Sequence, residues 1–348
     1  MTITMTNQFY SLDEKQQCQF FEKLLREAIC QWPVDIESLE LVKHRENAVF
    51  KLTTTSGEKY AVRVHRANYH TNDELLSEIK WNKALADSGI ETSSFLKTKD
   101  GRYFHVEKRD YVPEPRQIDI VKWVDGEPLG SIEAGVDLSI ESLMASYTCI
   151  GEIMARCHNQ ASQWELPTDF TRHAWDVDGL FGKCPTWGKF WELECLNNQE
   201  RILLNTVKKE LSNEFNEFGQ TPDRYSLIHA DMLPENLLES GDSYSLIDFD
   251  DAGFGWHMFD IATSLFFHLG EEHFDDVLHA LLTGYRRVRD LPDEHLAMLP
   301  SFLLARGTTY LGWAHTRKET DIAKELTPIV KAGVIELAEH YLSQHKAA

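Results

Sequence analysis

The spacing of apolar residues changes character once along the chain. Up to about residue 124 they mostly come in short alternating runs, and beyond it they recur every three or four positions. Before the change, Phe20, Phe21, Leu24, Leu25 and Ile29 predict a helix that ends before Pro33, and Ser11 with Glu14 has capping-box spacing. Leu39 to Val42 and Ala48 to Thr54 read as strands around the loop Lys43 to Asn47. Tyr60 to His65 is a third strand after the Ser56-Gly57 turn. Thr71 to Ala86 predicts a helix capped near Thr71 or Asn72 and stopped at Gly89. Phe95 to Lys97 and Tyr103 to Glu107 complete an expected five-stranded antiparallel sheet. Ile118 to Val124 leads into a turn at Asp125-Gly126. Later, Leu143 to Ala161, Glu200 to Phe218, Trp256 to Leu269, Leu278 to Val288, Leu296 to His315 and Thr327 to Tyr341 all have helical periodicity. The expected architecture is α+β and bilobal: an antiparallel-sheet lobe over 1–123 and a mainly helical lobe over 124–348.

Two stretches within the second part break the helical pattern. Leu227-Ile-His-Ala-Asp-Met-Leu-Pro-Glu-Asn236 and Ser245-Leu-Ile-Asp-Phe-Asp-Asp251 each start as a short buried strand and end in a polar loop. A Gly241-Asp242 turn lies between them. The first loop presents His229, Asp231 and Asn236, and the second presents Asp248, Asp250 and Asp251. Phosphoryl transfer needs little covalent chemistry from protein beyond an anchored magnesium nucleotide and an acceptor hydroxyl aimed at the γ-phosphorus. Magnesium takes hard oxygen ligands and keeps several waters, so one carboxylate and one amide oxygen suffice. Asp248 and Asn236 fit as that pair, and Asp231 fits as the group that orients the acceptor hydroxyl. Asp250 and Asp251 lie close enough to meet an amine or assist the metal.

The spacing His229-x-Asp231-x4-Asn236 is that of the protein-kinase catalytic loop, with Ala230 where protein kinases carry Arg. Asp248 stands at the place of the metal-binding Asp of the D-F-G motif. Ile-Asp-Phe-x-Asp-Ala-x-x-Gly, with Asp260-Ile-Ala beyond it, resembles the aminoglycoside phosphotransferase and choline kinase family. The likeness is greatest to its branch of homoserine kinase, hydroxylysine kinase and the bacterial stress-response kinase, and it extends over nearly the whole chain. Arg306-Gly-x-x-Tyr-Leu-Gly-Trp313 also resembles the stress-response branch.

The resemblance implies a protein-kinase-like fold and further roles. Arg63 takes the place of the strand-three Lys that holds the phosphates, and Glu78 would pair with it, with Glu74 its competitor one turn earlier. Asn47 lies in the loop over the phosphates, which lacks glycines. Val121, Trp123 and Val124 form the hinge that meets adenine. Asp260 would brace the catalytic loop, and His158 reads as a satisfied packing residue. Trp164, Trp175, Trp187 and Trp191 read as core, with the wall of a cationic-amine pocket as the other reading.

Composition narrows the class. A net charge of -21 argues against nucleic acid and anionic membrane surfaces. Six cysteines without a C-x-x-C pair, no secretory pattern at Met1 to Asn7 and no long apolar run point to a cytoplasmic protein. The expected activity is ATP- and Mg-dependent transfer of the γ-phosphate to a hydroxyl of a small metabolite: an amino alcohol, hydroxy amino acid, sugar or aminoglycoside. A Ser/Thr protein kinase of the stress-response type and a non-catalytic ATP-binding regulator are the alternatives. The acceptor and the oligomeric state stay open.

Overall fold

The computed structural model describes residues 9–130, 139–241 and 243–345, so Asp242 of the Gly241-Asp242 turn lies outside the described residues. The chain folds into two compact units. The first comprises the described residues within 1–127, 167–171 and 240–247, and the second those within 128–166, 172–239 and 248–348.

The first unit is built on a five-stranded sheet. Its strands are β1 (Ile36–His44), β2 (Ala48–Thr54), β3 (Lys59–Val64), β4 (Phe104–Glu107) and β5 (Arg116–Lys122), in the order β1-β2-β3-β5-β4. All neighbouring pairs are antiparallel. Phe50, Leu52, Val62, Val64, Ile118 and Ile120 bury one face of the sheet against Phe21, Leu24, Leu25 and Trp32. The expected strand at Phe95 to Lys97 is instead an irregular extended segment with a single bridge from Phe95 to Val121. The fifth strand is Arg116–Lys122, whose edge accepts Leu96 N at Ile120 O and donates Lys122 N to Ser94 O. Strand pairing needs a matched partner over several residues, and the chain bends away before Lys97 can continue the ladder.

Helix α1 (Glu14–Ala28) begins two residues later than the Ser11 spacing implied. Its N-cap is Asp13, whose side chain accepts from Gln16 N while Gln16 returns the bond to Asp13 N. Asp-x-x-Gln satisfies the free amides of the first turn as Ser-x-x-Glu would. Helix α2 (Asn72–Asp87) is capped by Thr71 and Glu74 in the same reciprocal way.

The second unit is mostly helical: α3 (Ile140–Gln163), α4 (Asn198–Phe218), α5 (His257–Leu265), α6 (Phe274–Val288), α7 (Leu299–Thr316) and α8 (Asp321–His345). Helices α3 and α6 approach closely because glycines face each other. A Cβ on Gly151 would sit 2.1 Å from Leu281 O, and one on Gly284 would sit 1.9 Å from Thr148 O. Helix α8 passes through Pro328, which removes one amide from the ladder. A small sheet of β6 (Ala174–Trp175), β7 (Tyr225–Ile228) and β8 (Gly253–Trp256) carries the polar loops. In it β8 lies between the other two, parallel to β6 and antiparallel to β7. Among the described residues no helix is long and apolar enough to cross a membrane.

Candidate active site

In the first unit, Arg63 sits on β3 with its side chain almost buried. Its Nη2 donates to Glu78 Oε1 at 3.0 Å. Glu74 is occupied as the capping partner of Thr71, so Glu78 is the α2 carboxylate that meets the guanidinium. A second carboxylate escaped the sequence reading. Asp119 on β5, opposite Arg63 in the ladder, accepts Nε at 2.8 Å and Nη2 at 2.6 Å, and His65 Nε2 lies 3.0 Å from Asp119 Oδ2. This fork uses the planar geometry that distinguishes Arg from Lys. Burial alone would raise the Asp119 carboxyl, but Arg63 and His65 hold it well below the usual carboxylate range. The period-two register puts Asp119 on the face opposite Ile118 and Ile120, yet a lone Asp on a strand gives no pairing signal in sequence.

Asn47 is buried at the end of the β1–β2 loop, and its Oδ1 accepts Arg66 N at 3.2 Å. That contact ties the loop to the end of β3. Of the hinge candidates, Val121 lies within β5, while Trp123 N donates to Lys59 O at 3.1 Å and the Trp123 ring meets Lys51 Nζ at 4.7 Å.

In the second unit the catalytic-loop candidates follow β7 directly. Ala230 has φ 62° and Asp248 has φ 64°, a left-handed backbone uncommon for residues with a Cβ. The turn at Ala230 is held from α5. Buried Asp260 accepts His229 N at 3.1 Å and Ala230 N at 2.6 Å. Asp260 also meets His158 Nε2 at 3.0 Å, and His158 Nδ1 lies 2.8 Å from Tyr285 OH. Burial lowers the His158 pKa well below its ordinary value, so its ring is neutral. His158 is therefore a fully bonded packing residue. Ser264 Oγ adds a bond to Met232 O.

Asp231 and Asn236 are joined. Asn236 Nδ2 donates to Asp231 O at 2.8 Å and to Asp231 Oδ2 at 2.9 Å. Both amide hydrogens are thereby used on oxygens, and Asn236 Oδ1 is left as the acceptor. Burial pushes the Asp231 carboxyl up to about 6. Arg306 opposes this, Asp248 and Glu235 add to it, and the Asn236 bond opposes it. Asp248 is exposed.

The second acidic loop is clamped by residues that no motif singled out. Arg172 donates from Nε to Ala252 O at 2.6 Å and from Nη2 to Phe249 O at 3.1 Å and to Asp250 O. Trp175, fully buried, donates from Nε1 to Asp251 O at 2.9 Å. Trp187 Nε1 donates to Asp251 Oδ1 at 3.1 Å. Trp175 and Trp187 are thus both buried core residues, packed edge to face, and both spend their indole N–H on Asp251. Trp187 is seated on α7 by close approach of Gly188 and Gly312: a Cβ on Gly312 would lie 2.5 Å from Gly188 O. Thr316 Oγ1 donates to Trp187 O at 2.9 Å.

Helix α7 supplies the residue closest in consequence to Asp231. Arg306 Nη2 lies 3.3 Å from Asp231 Oδ1 and donates to Tyr310 OH at 2.9 Å. Its segment was visible as a likeness without a role.

The sequence profile of the phosphotransferase enzyme family matches residues 38–295. The chain belongs to this family. It is a kinase-type phosphotransferase, and members of the family use ATP with a divalent metal. Its structure is similar to that of a microcompartment-associated aminopropanol kinase, with a TM-score of 0.81 and 30% identity over 92% of this chain and 98% of that one. An amicoumacin kinase solved with AMP-PNP, Ca2+ and its ligand has the same fold at a TM-score of 0.73 and 20% identity, over 90% and 93% of the two chains. Hydroxylysine kinase of Xenopus laevis is 20% identical over 98% of both proteins. The bilobal kinase-like architecture is that of these relatives.

Proposed function

We propose that this phosphotransferase moves the γ-phosphate of ATP, with Mg2+, to the hydroxyl of a small metabolite that carries an amine. The observation that carries the reading is the Asn236 side chain. Its two N–H groups are spent on Asp231, so its Oδ1 remains as a hard oxygen donor. Asp248, whose charge acts on Asp231, is the carboxylate we assign beside it, and this donor set suits Mg2+ with retained waters. When bound, the cation neutralises charge on the phosphate oxygens.

Asp231 would accept the hydrogen bond of the acceptor hydroxyl. As the new O–P bond forms and the bond to ADP breaks, the hydroxyl proton passes to Asp231. Arg63, braced by Glu78 and Asp119 in the first unit, is the group we assign to the nucleotide phosphates, with Asn47 fixing the loop end nearby. For adenine, the Trp123 N–H is already bonded to Lys59 O and Val121 is paired with Ala61 in the ladder, so of the hinge residues Val121, Trp123 and Val124 we assign the Trp123 carbonyl and the Val124 backbone.

The preference for an amine rests on charge. Asp231, Asp248, Asp250 and Asp251 outnumber the cations Arg172 and Arg306 beside them. The face of Trp187 is covered by Arg306 at 4.7 Å and its N–H edge is spent on Asp251, so the carboxylates rather than the indole would meet an ammonium group. The similarity to an aminopropanol kinase points the same way.

The test is ADP release from Mg-ATP with separate amino alcohols, hydroxy amino acids, sugars and aminoglycosides. Turnover raised by an amine-bearing alcohol in the wild type, and lost by about 10²-fold or more in Asp231→Asn, is the expected result. Turnover confined to sugars without amines would refute the amine assignment, and an active Asp231→Asn would refute the role of Asp231.

A further inference from the structure

Arg306 is fully buried, and its surroundings are mostly carbon. The guanidinium carbon lies 4.4 Å from the Tyr310 ring centre, 4.7 Å from that of Trp187 and 5.5 Å from that of Phe259. Among the described residues, Nε and Nη1 have no hydrogen-bond partner. Only Nη2 reaches oxygen, at Tyr310 OH and at Asp231 Oδ1. Burying a cation costs several kcal/mol, and a single carboxylate at 3.3 Å with three aromatic faces returns only part of it. A methionine or leucine would fill this box at less cost. Core packing therefore does not account for an arginine here.

The contact with Asp231 does. Asn236 Nδ2 holds Asp231 Oδ2, and Arg306 Nη2 holds Oδ1. One tether leaves a carboxylate free to turn about its Cβ–Cγ bond, and two tethers on opposite oxygens set its plane. The box itself is assembled for this. Tyr310 follows Arg306 by one helical turn, and Gly312 and Thr316 of the same helix seat Trp187 over the guanidinium.

We propose that Arg306 is the positioning residue of Asp231, a guanidinium held in the Trp187–Tyr310–Phe259 box that sets the plane of the acceptor-orienting carboxylate. The inference rests on the reading that Asp231 orients the acceptor. It also gives the Arg306-Gly-x-x-Tyr-Leu-Gly-Trp313 segment a physical purpose: Arg306 acts, Tyr310 orients it, and Gly312 admits the Trp187 loop.

The test compares full-length wild type, Arg306→Gln, Arg306→Lys, Arg306→Ala and Tyr310→Phe, with Asp231→Asn as control. Rates are read as ADP release with 1-amino-2-propanol and, without acceptor, as the slower transfer to water. Arg306→Gln should lose about 10²-fold in kcat, the scale expected when a reacting group is misplaced by about 1 Å, with KM for ATP unchanged. Arg306→Lys should recover part of the loss. Added guanidinium should restore Arg306→Ala several-fold while leaving Asp231→Asn inactive. Tyr310→Phe, which keeps the ring, should lower kcat several-fold and covers the case in which the Arg306 variants do not fold. Wild-type kcat in Arg306→Gln, or in Tyr310→Phe should the Arg306 variants not fold, overturns the proposal. So does an equal fall in kcat and ATP affinity without guanidinium rescue. An active Asp231→Asn sinks instead the assignment of Asp231.

Discussion

The Asp260 carboxylate accepts the backbone N–H groups of His229 and Ala230, at 3.1 and 2.6 Å, and in doing so holds Ala230 in a left-handed conformation. An alanine in that region costs roughly 1–2 kcal/mol, and a buried N–H left without an acceptor costs about 1–3 kcal/mol. Asp260 removes the second cost and offsets the first, and the Asp231 loop keeps its shape because of it.

Asp260→Ala should therefore destabilise the protein by about 3 kcal/mol or more, from two orphaned amides. Among molecules that remain folded, kcat should fall by at least tenfold with little change in KM for ATP. Urea unfolding and steady-state kinetics on the same preparation check both. Unchanged kcat would mean that the loop holds its geometry without this brace.

Arg63→Lys keeps the charge but cannot make the two-nitrogen fork to Asp119. Breaking one side of a buried pair typically costs about 3–5 kcal/mol, and partial retention by Lys places the expected loss at the lower end. Affinity for Mg-ATP, read by nucleotide titration, should drop about tenfold. Lower stability with unchanged nucleotide affinity would reduce Arg63 to a structural ion pair.

Buried histidines tie stability to pH. His158, His257 and His268 are all held neutral by burial, with His268 lowered to about 4. In the unfolded chain each titrates near ~6.5. Above that value both states are neutral and these groups contribute no pH dependence. As pH falls below it, the unfolded state gains protons that the folded state refuses, so stability is lost toward pH 4. Each such histidine contributes at most about 1.4 kcal/mol per pH unit in that window. Asp231, raised to about 6, acts in the opposite sense and offsets part of this loss. Urea midpoints between pH 8 and 4.5 should therefore be flat above about 7 and fall below about 6, less steeply than the histidines alone would give. A flat profile throughout would mean that the folded protein accepts these protons.

Gly312→Ala places a Cβ 2.5 Å from the backbone oxygen of Gly188, so the Trp187 loop must move. A cost of about 1–3 kcal/mol is expected for such overpacking. The displaced Trp187 also loosens its hold on Asp251, so KM for an amine-bearing acceptor should rise more than KM for ATP. Steady-state kinetics with each substrate varied in turn checks this, and equal changes would argue that the loop serves packing alone.

Periodicity along the chain determined most of the elements. Alternation gave the first three strands and the antiparallel sheet, the three-to-four spacing gave the helical second part, and the H-x-D-x4-N spacing gave the loop with Asp231 and Asn236. These features are local: a strand, a cap or a tight loop is set by neighbours in sequence, so sequence carries it. Partner choice is different. Whether Glu74 or Glu78 meets Arg63 depended on which carboxylate the α2 cap consumed. Asp119 became the second partner because β5, rather than Phe95 to Lys97, lies beside β3. Arg172 on the acidic loop and Arg306 on Asp231 come from 77 and 75 residues away. No spacing rule reaches that far, because a hydrogen bond across the fold is fixed only when packing brings two distant segments within about 3 Å.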